Sequence, residues 1–309
     1  MTTLLLSRPP WVDRQTPLWH PERQDRMRAV ESALEEESFA WLVREEAAAA
    51  ALQTLALVHP EPYIRSLIDA APLEGLVAID EDTSLSPGTL DAAMRSAGAA
   101  VQAVDEVMTG KVRNAFSAMR PPGHHAELAK AMGFCFFNNV AIAARHARKA
   151  HGAERIAIVD WDAHHGNGTQ DVFWSDASVL FCSTHQMPLY PGSGAASERG
   201  EHDTMVNVPL RAGDGGEVFR EALEVAVLPR VKAFSPDLIL ISAGFDANWR
   251  DPLADLELTE ADFAWATQQL MDIADRRCGG RIVSLMEGGY DLQGLARSAA
   301  AHVKALMQG

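Results

Sequence analysis

The stretch "RIAIVDWDAHHGNGTQ", residues 155–170, joins an apolar run typical of a buried strand to a group of ionisable side chains. Asp160 ends the apolar run, and Asp162 and His164 follow at two-residue spacing. A carboxylate buried among apolar side chains is strongly destabilising unless it has a cation or a hydrogen-bond donor. Side chains two residues apart in an extended chain point to the same side, so we expect Asp162 and His164 to share one polar site.

The second half of the chain alternates apolar runs with helical patterns. Six runs are predicted as strands: "NAFSAM" (114–119), "RIAIVD" (155–160), "VLFCST" (179–184), "MVNVPL" (205–210), "LILISAG" (238–244) and "RIVSLM" (281–286). Helical patterns intervene at 138–152, 217–234, 259–280 and 292–306. Alternating strands and helices predict an α/β fold with a mainly parallel sheet flanked by helices on both faces. We expect a single domain over residues 1–309.

Three further helices are predicted in the first half of the chain. They cover residues 20–37, 44–59 and 86–110. The third has Ser86 as its predicted N-cap, Pro87 at the first helical position and Gly110 just past its end.

Four of the predicted strands lead directly into unusual polar segments. These segments are "RPPGHHA" (120–126), "WDAHHGNG" (161–168), "FDANWRDP" (245–252) and "EGGYD" (287–291). In open parallel sheets, ligands bind beyond the carboxyl ends of the strands. We therefore expect the four segments to meet at one edge of the sheet and to form one site.

Composition and charge limit the classes of partner. The 309 residues carry a formal net charge of −15, which argues against a nucleic-acid-binding surface and is compatible with a cationic substrate. The three cysteines form no CxxC pair, so neither a thiolate zinc site nor a disulfide framework is expected. No apolar run has the length of a signal peptide or a membrane span. These features predict a soluble, cytoplasmic protein that does not bind membranes.

The polar segments contain side chains suited to a catalytic metal site. Two carboxylates and one imidazole, from Asp162, His164 and Asp246, suit Zn²⁺ with one position left open for water. The paired His124 and His125 are candidates for proton transfer. The hydroxyl of Tyr290 is a candidate donor to a developing oxyanion, the alternative being a tyrosine packed in the core.

These motifs resemble those of the zinc-dependent histone deacetylase family, which has the arginase–deacetylase fold. The segments that carry the resemblance are "HPERQDR" (20–26), "RPPGHHA" (120–126), "GFCFFNN" (133–139), "VDWDAHHGNGTQ" (159–170), "SAGFDA" (242–247) with "DPL" (251–253), and "EGGYDL" (287–292). They extend over residues 20–309, and "HGNG" and "EGGY" resemble the class II branch with its bacterial acetylpolyamine and acyl-lysine relatives. The resemblance implies an enzyme that removes acyl groups from lysine-type amides.

The resemblance also implies roles for further residues. Phe134 and Tyr190 match the two aromatics that wall the acyl-lysine tunnel, and the carbonyl of Gly133 accepts the substrate amide N–H. Asp82 matches a rim residue that binds the substrate backbone. Arg23 matches an arginine beside the channel through which acetate leaves.

The two histidines are expected to have different partners. Asp160 resembles the carboxylate that pairs with His124, whereas Asn167 is the expected partner of His125. A carboxylate raises the pKa of a histidine and a neutral amide does not. His124 is therefore predicted to be an imidazolium that stabilises charge, and His125 to titrate near its ordinary pKa and to act as the base.

Structural monovalent cations are also implied by the resemblance. One K⁺ or Na⁺ site is expected beside Asp160, with Ser183 and the backbone carbonyls of Asp162, His164 and Thr184. A second is expected at the carbonyls of Phe173, Asp176, Val179 and Thr204.

Several alternatives remain open from the sequence. A ureohydrolase of the arginase type shares the fold but needs two metal ions, and Gly166 and Asn248 stand where it would have further carboxylates. A non-enzymatic module that binds acyl-lysine is a second alternative. Within the enzyme reading, acylated lysine peptides compete with acetylpolyamines as substrates. Leu253 stands where polyamine-selective relatives have a glutamate, which favours lysine-type amides. A homo-oligomer is possible.

Overall fold

The computed structural model describes residues 2–7, 16–17 and 19–308, and within these ranges the chain forms ten strands. They are β1 (Thr3–Ser7), β2 (Val43–Glu46), β3 (Val77–Ala78), β4 (Ser84–Leu85), β5 (Asn114–Ser117), β6 (Ile156–Asp160), β7 (Val179–Gln186), β8 (Met205–Leu210), β9 (Leu238–Ala243) and β10 (Ile282–Met286).

The same ranges contain ten α-helices. They are α1 (Asp25–Leu34), α2 (Leu52–Leu55), α3 (Glu61–Ala70), α4 (Thr89–Met108), α5 (Asn139–His151), α6 (Asn167–Phe173), α7 (Gly216–Ala222), α8 (Leu228–Phe234), α9 (Glu260–Cys278) and α10 (Leu292–Gln308). A 3₁₀ turn covers Glu37–Phe39, and a π-turn over Leu223–Val227 joins α7 to α8. In the described part of the chain, no helix is both long and apolar enough to cross a membrane.

Eight strands form one sheet in the order β2-β1-β5-β10-β9-β6-β7-β8. Every pairing between neighbouring strands of this sheet is parallel. β3 and β4 form a separate antiparallel pair. The α/β fold with a parallel sheet is therefore confirmed.

Successive residues of the central strands pack against opposite faces of the sheet. In β6, Ile156 and Ile158 belong to the apolar core that includes residues of α4 and α5, whereas Ala157 and Val159 belong to the core that includes α9 and α10. Because helices cover both faces, these strands are apolar along their length and polar side chains are found where they end. The strands β5, β10, β9 and β6 are neighbours, so the four polar segments that follow them lie at one edge.

The first half differs from the sequence prediction in several elements. β1 and α3 were not predicted, and α1 covers only Asp25–Leu34 of the helix expected over 20–37. The region predicted as a helix over 44–59 contains β2 and only the four-residue helix α2. The helix predicted from Ser86 begins at Thr89, with Gly88 as its N-cap at a φ of 84°. The hydroxyl of Thr89 accepts a hydrogen bond from the backbone N–H of Ser86, so Ser86 belongs to the preceding turn.

Candidate active site

Two loops at the carboxyl edge of the sheet bring together Asp162, His164 and Asp246. Nδ1 of His164 lies 3.1 Å from Asp162 Oδ1 and 2.8 Å from Asp246 Oδ2. Both aspartates are almost completely buried. One ligand atom from each residue lies within 4.8 Å of the other two, a spacing that suits a single metal ion.

Backbone N–H groups fix both carboxylates. Gly288 N–H donates to Asp162 Oδ2 at 2.8 Å, and Ala163 N–H donates to Asp246 Oδ1 at 2.8 Å. A Cβ atom at Gly288 would lie 2.4 Å from Asp246 Oδ2, so only glycine lets this backbone approach so closely. Gly288, the first glycine of "EGGY", thus helps to set the positions of the two carboxylates.

The electrostatics of these three side chains fit a cation. Burial and the charge of Asp162 raise the pKa of Asp246 to about 7. Burial lowers the pKa of His164, but its hydrogen bonds to the two carboxylates outweigh this and raise it to about 10. Without an ion, the imidazole proton compensates the buried negative charge. A divalent cation bound to Nδ1 would take over that compensation, so the donor set fits Zn²⁺.

The paired histidines lie beside this cluster and have different partners. His124 Nδ1 lies 2.9 Å from Asp160 Oδ2, and His125 Nδ1 lies 2.8 Å from Asn167 Oδ1.

The two histidines also differ in pKa. Burial lowers the pKa of His124, but the charges of Asp160, Asp162 and Glu287 outweigh it and hold this pKa well above its ordinary value. Burial, with the cationic neighbours His124 and His164, holds the pKa of His125 well below its ordinary value. The prediction of an ordinary pKa for His125 was therefore wrong, because burial and two positive neighbours lower this pKa.

A cavity of about 270 Å³ leads to the cluster. Its walls are formed by Asp82, His125, Gly133, Phe134, His164, Leu189, Tyr190, Leu253 and Tyr290. All five residues predicted to contact substrate (Gly133, Phe134, Tyr190, Leu253 and Asp82) line this cavity, and Leu189 adds an apolar wall that the sequence did not indicate. The cavity is therefore a narrow, mainly apolar passage with a carboxylate in its wall.

Comparisons with known proteins identify the family. The model of the histone deacetylase domain matches residues 20–306. The chain belongs to the histone deacetylase family. It is 42% identical over 282 residues to a probable deacetylase of Archaeoglobus fulgidus, covering 89% of this chain and 77% of that protein. It is 40% identical over 288 residues to a histone deacetylase-like amidohydrolase of Pseudomonas aeruginosa, covering 91% of this chain and 75% of that one.

A solved structure agrees with this assignment. The crystal structure of the HDA15 HD domain matches with a TM-score of 0.94 at 37% sequence identity, covering 99% of this chain and 88% of that chain. The arginase–deacetylase fold predicted from the motifs is thus confirmed, and the family's reaction is the deacylation of amides.

Gly133 is tightly fitted into this deacetylase site. Its φ is +55°, and a Cβ atom there would lie 2.4 Å from Cδ2 of His125. Phe134 also has a positive φ, of 67°, and its backbone N–H donates to the hydroxyl of Thr83 at 3.0 Å. This turn directs the Phe134 ring to within 6.0 Å of the Tyr290 ring, centroid to centroid.

The arginine buried beside Tyr290 is Arg26, not Arg23. Arg23 is 43% exposed and lies 3.6 Å from Asp25. Arg26 is fully buried, donates to the carbonyls of Gly289 at 2.6 Å and Glu287 at 2.5 Å, and lies 4.9 Å from the centre of the Tyr290 ring. The structure thus places Arg26, three residues after Arg23, beside Tyr290, whereas the channel role expected for Arg23 stays a prediction.

Three acidic residues that the sequence did not single out support the site. Glu287 accepts from the backbone N–H groups of Gly123 at 2.7 Å and His124 at 3.2 Å. Asp251 accepts from the N–H groups of Tyr290 at 2.7 Å and Leu253 at 3.0 Å. Glu127 accepts from Asn167 Nδ2 at 2.9 Å. Glu287 and Asp251 lie within the polar segments that follow the strands, and this position could have identified them from the sequence. Glu127 comes directly after the polar segment 120–126.

The residues expected at the cation sites occupy two places. One set comprises Asp160 at the end of β6, Asp162 and His164 just after it, and Ser183 and Thr184 within the neighbouring strand β7. The other set, Phe173, Asp176, Val179 and Thr204, lies between the end of α6 and the start of β8. Among the described residues, the buried hydroxyls of Thr184 and Thr204 have no hydrogen-bond partner. Asp160 is fully buried, and one of its oxygens accepts from the N–H of Asp162 at 3.0 Å.

Proposed function

We propose that this chain is a mononuclear, zinc-dependent deacetylase that acts on acylated lysine or lysine-like amides. The observation that carries the proposal is the position of Asp162, His164 and Asp246 beside an apolar passage that is also lined by His125 and Tyr290. A passage of this kind fits an aliphatic stem and brings its terminal amide to the polar cluster.

The three ligands would hold one Zn²⁺ ion. When bound, Zn²⁺ supplies a Lewis acid that polarises the amide carbonyl and lowers the pKa of water. The protein's own groups would then bind the amide from two sides. The hydroxyl of Tyr290 donates to the carbonyl oxygen, and the backbone carbonyl of Gly133 accepts the amide N–H.

Tyr290 would act as a neutral donor. Burial raises its pKa well above the ordinary value, although the guanidinium of Arg26 acts in the opposite direction. The hydroxyl therefore keeps its proton at neutral pH. Arg26 also fixes the backbone on which Tyr290 sits, through the carbonyls of Glu287 and Gly289.

His125 would act as the general base. Asn167 Nδ2 donates to the carboxylate of Glu127, so Asn167 Oδ1 faces His125 and must accept a hydrogen bond from Nδ1–H. The neutral imidazole then carries its proton on Nδ1, and Nε2 is free to take a proton from the attacking water. The resulting imidazolium delivers that proton to the leaving amine. His124, held as a cation by Asp160, stabilises the negative charge that develops.

Replacing Glu127 tests this control of the His125 tautomer. Glu127→Ala removes the acceptor that orients the Asn167 amide, so the amide can reverse and leave Nε2 of His125 protonated. We expect kcat to fall by up to about tenfold, because one charge-assisted hydrogen bond contributes about 1.5 kcal/mol. Glu127→Gln retains an acceptor oxygen and should recover most of the rate. Nitrogen NMR of the imidazole should report the change of tautomer; equal rates and one unchanged tautomer in both variants would contradict the assignment.

The proposed substrate preference rests on Leu253, the wall residue that would face the second amine of a polyamine substrate. Leu253 lines the passage and is held in place by Asp251, so an apolar side chain occupies the position where a glutamate would bind a second amine. This supports acyl-lysine peptides or lysine-like amides over acetylpolyamines.

Introducing a carboxylate at this wall should change the preference. In Leu253→Glu, the ratio of kcat/KM for acetylputrescine over that for an acetyl-lysine peptide should rise about tenfold or more, because the partly buried carboxylate gains a cationic partner. Leu253→Gln is the matched control and should leave the ratio near its wild-type value. A wild-type enzyme that already prefers acetylputrescine would transfer the assignment to the polyamine class.

Zinc dependence is tested by turnover after removal and return of the ion. Removal with a chelator should abolish acetate release from an acetyl-lysine peptide, and added Zn²⁺ should restore it. Unchanged turnover in the chelated protein would rule out metal dependence. Tight binding of the peptide without any turnover would favour the acyl-lysine binding module instead.

The ureohydrolase alternative requires a second ion at the same cluster. Gly166 and Asn248 supply no carboxylate there, and the cluster found in the described residues contains three ligands. Loss of two equivalents of zinc in an Asp162 variant would favour that alternative.

Other properties complete the proposal. Residues 1–309 are proposed to form one catalytic domain with a cytoplasmic location, and substrates to be cationic amides rather than nucleic acids. K⁺ or Na⁺ is proposed beside Asp160, where the buried carboxylate and the unpartnered Thr184 hydroxyl support a cation.

A further inference from the structure

A second group of potential metal ligands lies between α4 and α5, outside the deacetylase site. His146 Nε2 and His151 Nε2 each lie 2.7 Å from the same oxygen, Oδ1 of Asp105. The two imidazole rings are 5.8 Å apart, centroid to centroid, and are steeply tilted at 73°. Both histidine side chains are 18% exposed, and the Asp105 side chain is 45% exposed.

The ends of two packed helices bring these residues together. Asp105 lies in the last turn of α4, and His151 is the last residue of α5, which Gly152 terminates at a φ of 68°. β5 and β6 begin shortly after these helix ends, so the group lies at the amino edge of the sheet. The catalytic cluster lies at the opposite edge, beyond the carboxyl ends of the strands.

The chemistry of this group suits a borderline transition metal. Two imidazole nitrogens and one carboxylate oxygen are ligands that Zn²⁺, Ni²⁺ and Cu²⁺ all accept. The carboxylate of an aspartate is ionised at neutral pH, and Asp105 directs one oxygen at both imidazoles. The nearby cation Lys111 is paired with another carboxylate, since its ammonium lies 2.6 Å from Glu106. All three side chains are partly exposed, so water can supply further ligands.

The geometry needs only a small adjustment to hold an ion. Zinc lies about 2.0–2.2 Å from nitrogen and oxygen ligands, which places tetrahedral ligand atoms about 3.3 Å apart. The two nitrogen–oxygen distances of 2.7 Å would therefore widen by roughly half an ångström. Small side-chain rotations achieve this, because Asp105 and both imidazoles are partly exposed.

We propose that Asp105, His146 and His151 form a second divalent-metal site, which binds Zn²⁺ or a similar ion and ties α4 to α5. The ion is structural and does not take part in the deacetylase reaction, because it binds at the edge of the sheet remote from the substrate passage.

Zinc stoichiometry measured on five proteins tests the site. Wild-type protein, saturated with Zn²⁺ and freed of excess ion, should bind two equivalents. His151→Gln should bind one and retain wild-type turnover, whereas Asp162→Ala should bind one and lose turnover. The double variant should bind none. His202→Gln, which changes an exposed histidine elsewhere, is the matched control and should keep both equivalents.

Each contrary result has a distinct meaning. If His151→Gln binds as many equivalents as wild type, the second site is overturned, whatever happens at Asp162. If Asp162→Ala keeps full zinc content, the proposed catalytic site fails and the second site is judged by His151→Gln alone. Asp105→Asn, at a half-exposed position, repeats the test in case His151→Gln fails to fold. Added Zn²⁺ should raise the Tm of Asp162→Ala and leave that of the double variant unchanged.

Discussion

Asp162→Ala is expected to abolish deacetylation and to remove the catalytic ion. Asp162 supplies one of three ligand atoms, and its other contacts, to Gly288 N–H and His164, also shape the cluster. Loss of Lewis-acid stabilisation worth several kcal/mol corresponds to a fall in kcat of at least about 10³-fold. The measurement is acetate release from an acetyl-lysine peptide, together with zinc content by elemental analysis.

The control for Asp162→Ala is Asp203→Ala, which removes an exposed carboxylate in the turn before β8, outside the metal cluster. It should keep both activity and zinc. Far-ultraviolet circular dichroism should be similar for both variants, because Asp162 lies in a loop and contributes no strand pairing. Normal turnover with normal zinc content in Asp162→Ala would exclude this residue as a ligand.

The arrangement of the active site could be predicted from the sequence because it follows from the order of the strands. Four polar segments each follow an apolar run, and parallel strands deliver their carboxyl ends to one edge. The sheet order then makes β5, β10, β9 and β6 neighbours, which brings residues 120–126 and 287–291 together although they are far apart in the chain. Alternation of apolar and polar character contains this information, whereas the distances between the side chains come only from the structure.

The error over residues 44–59 has a physical cause. A run of alanines has high helix propensity, but propensity is a weak preference that tertiary contacts override. Here Ala47 N–H donates to the carbonyl of Ser7, and Ala50 N–H donates to that of Met94. Gly98 of α4 lies so close to the carbonyl of Ala48 that a Cβ atom would be 1.9 Å from it. The alanine segment is therefore extended because β1 and α4 bind its backbone.

The residues that the sequence missed act through contacts rather than motifs. Arg26 is one of several arginines in its region, and only its burial against the backbone of Glu287 and Gly289 distinguishes it. Glu127 is a partly exposed acidic residue whose relevance depends on its hydrogen bond to Asn167. The pKa of His125 similarly depends on burial and on two charged neighbours. None of these contacts produces a periodic pattern or a characteristic motif spacing in the sequence.

Tyr290→Phe is expected to lower kcat by about 10²–10³-fold, the range for removing one oxyanion donor. The substitution keeps the ring that packs against Phe134 and lies over the Arg26 guanidinium, so the passage and the backbone around it should be unchanged. Only the hydroxyl is lost, and its raised pKa means that the group removed is a neutral donor at any pH near 7. Because the hydrogen bond strengthens as charge develops on the carbonyl oxygen, KM should change much less than kcat.

Tyr190→Phe is the matched control for Tyr290→Phe, since it removes the same atom from another aromatic of the passage. Its hydroxyl is given no role in stabilising the oxyanion, so kcat should remain close to wild type, and zinc content should be normal in both variants. Steady-state kinetics on an acetyl-lysine peptide distinguish the two tyrosines. If Tyr290→Phe alters KM alone, Tyr290 serves only to pack against the substrate, and stabilisation of the developing charge must come from the other groups at the cluster, chiefly the ion and the His124 cation.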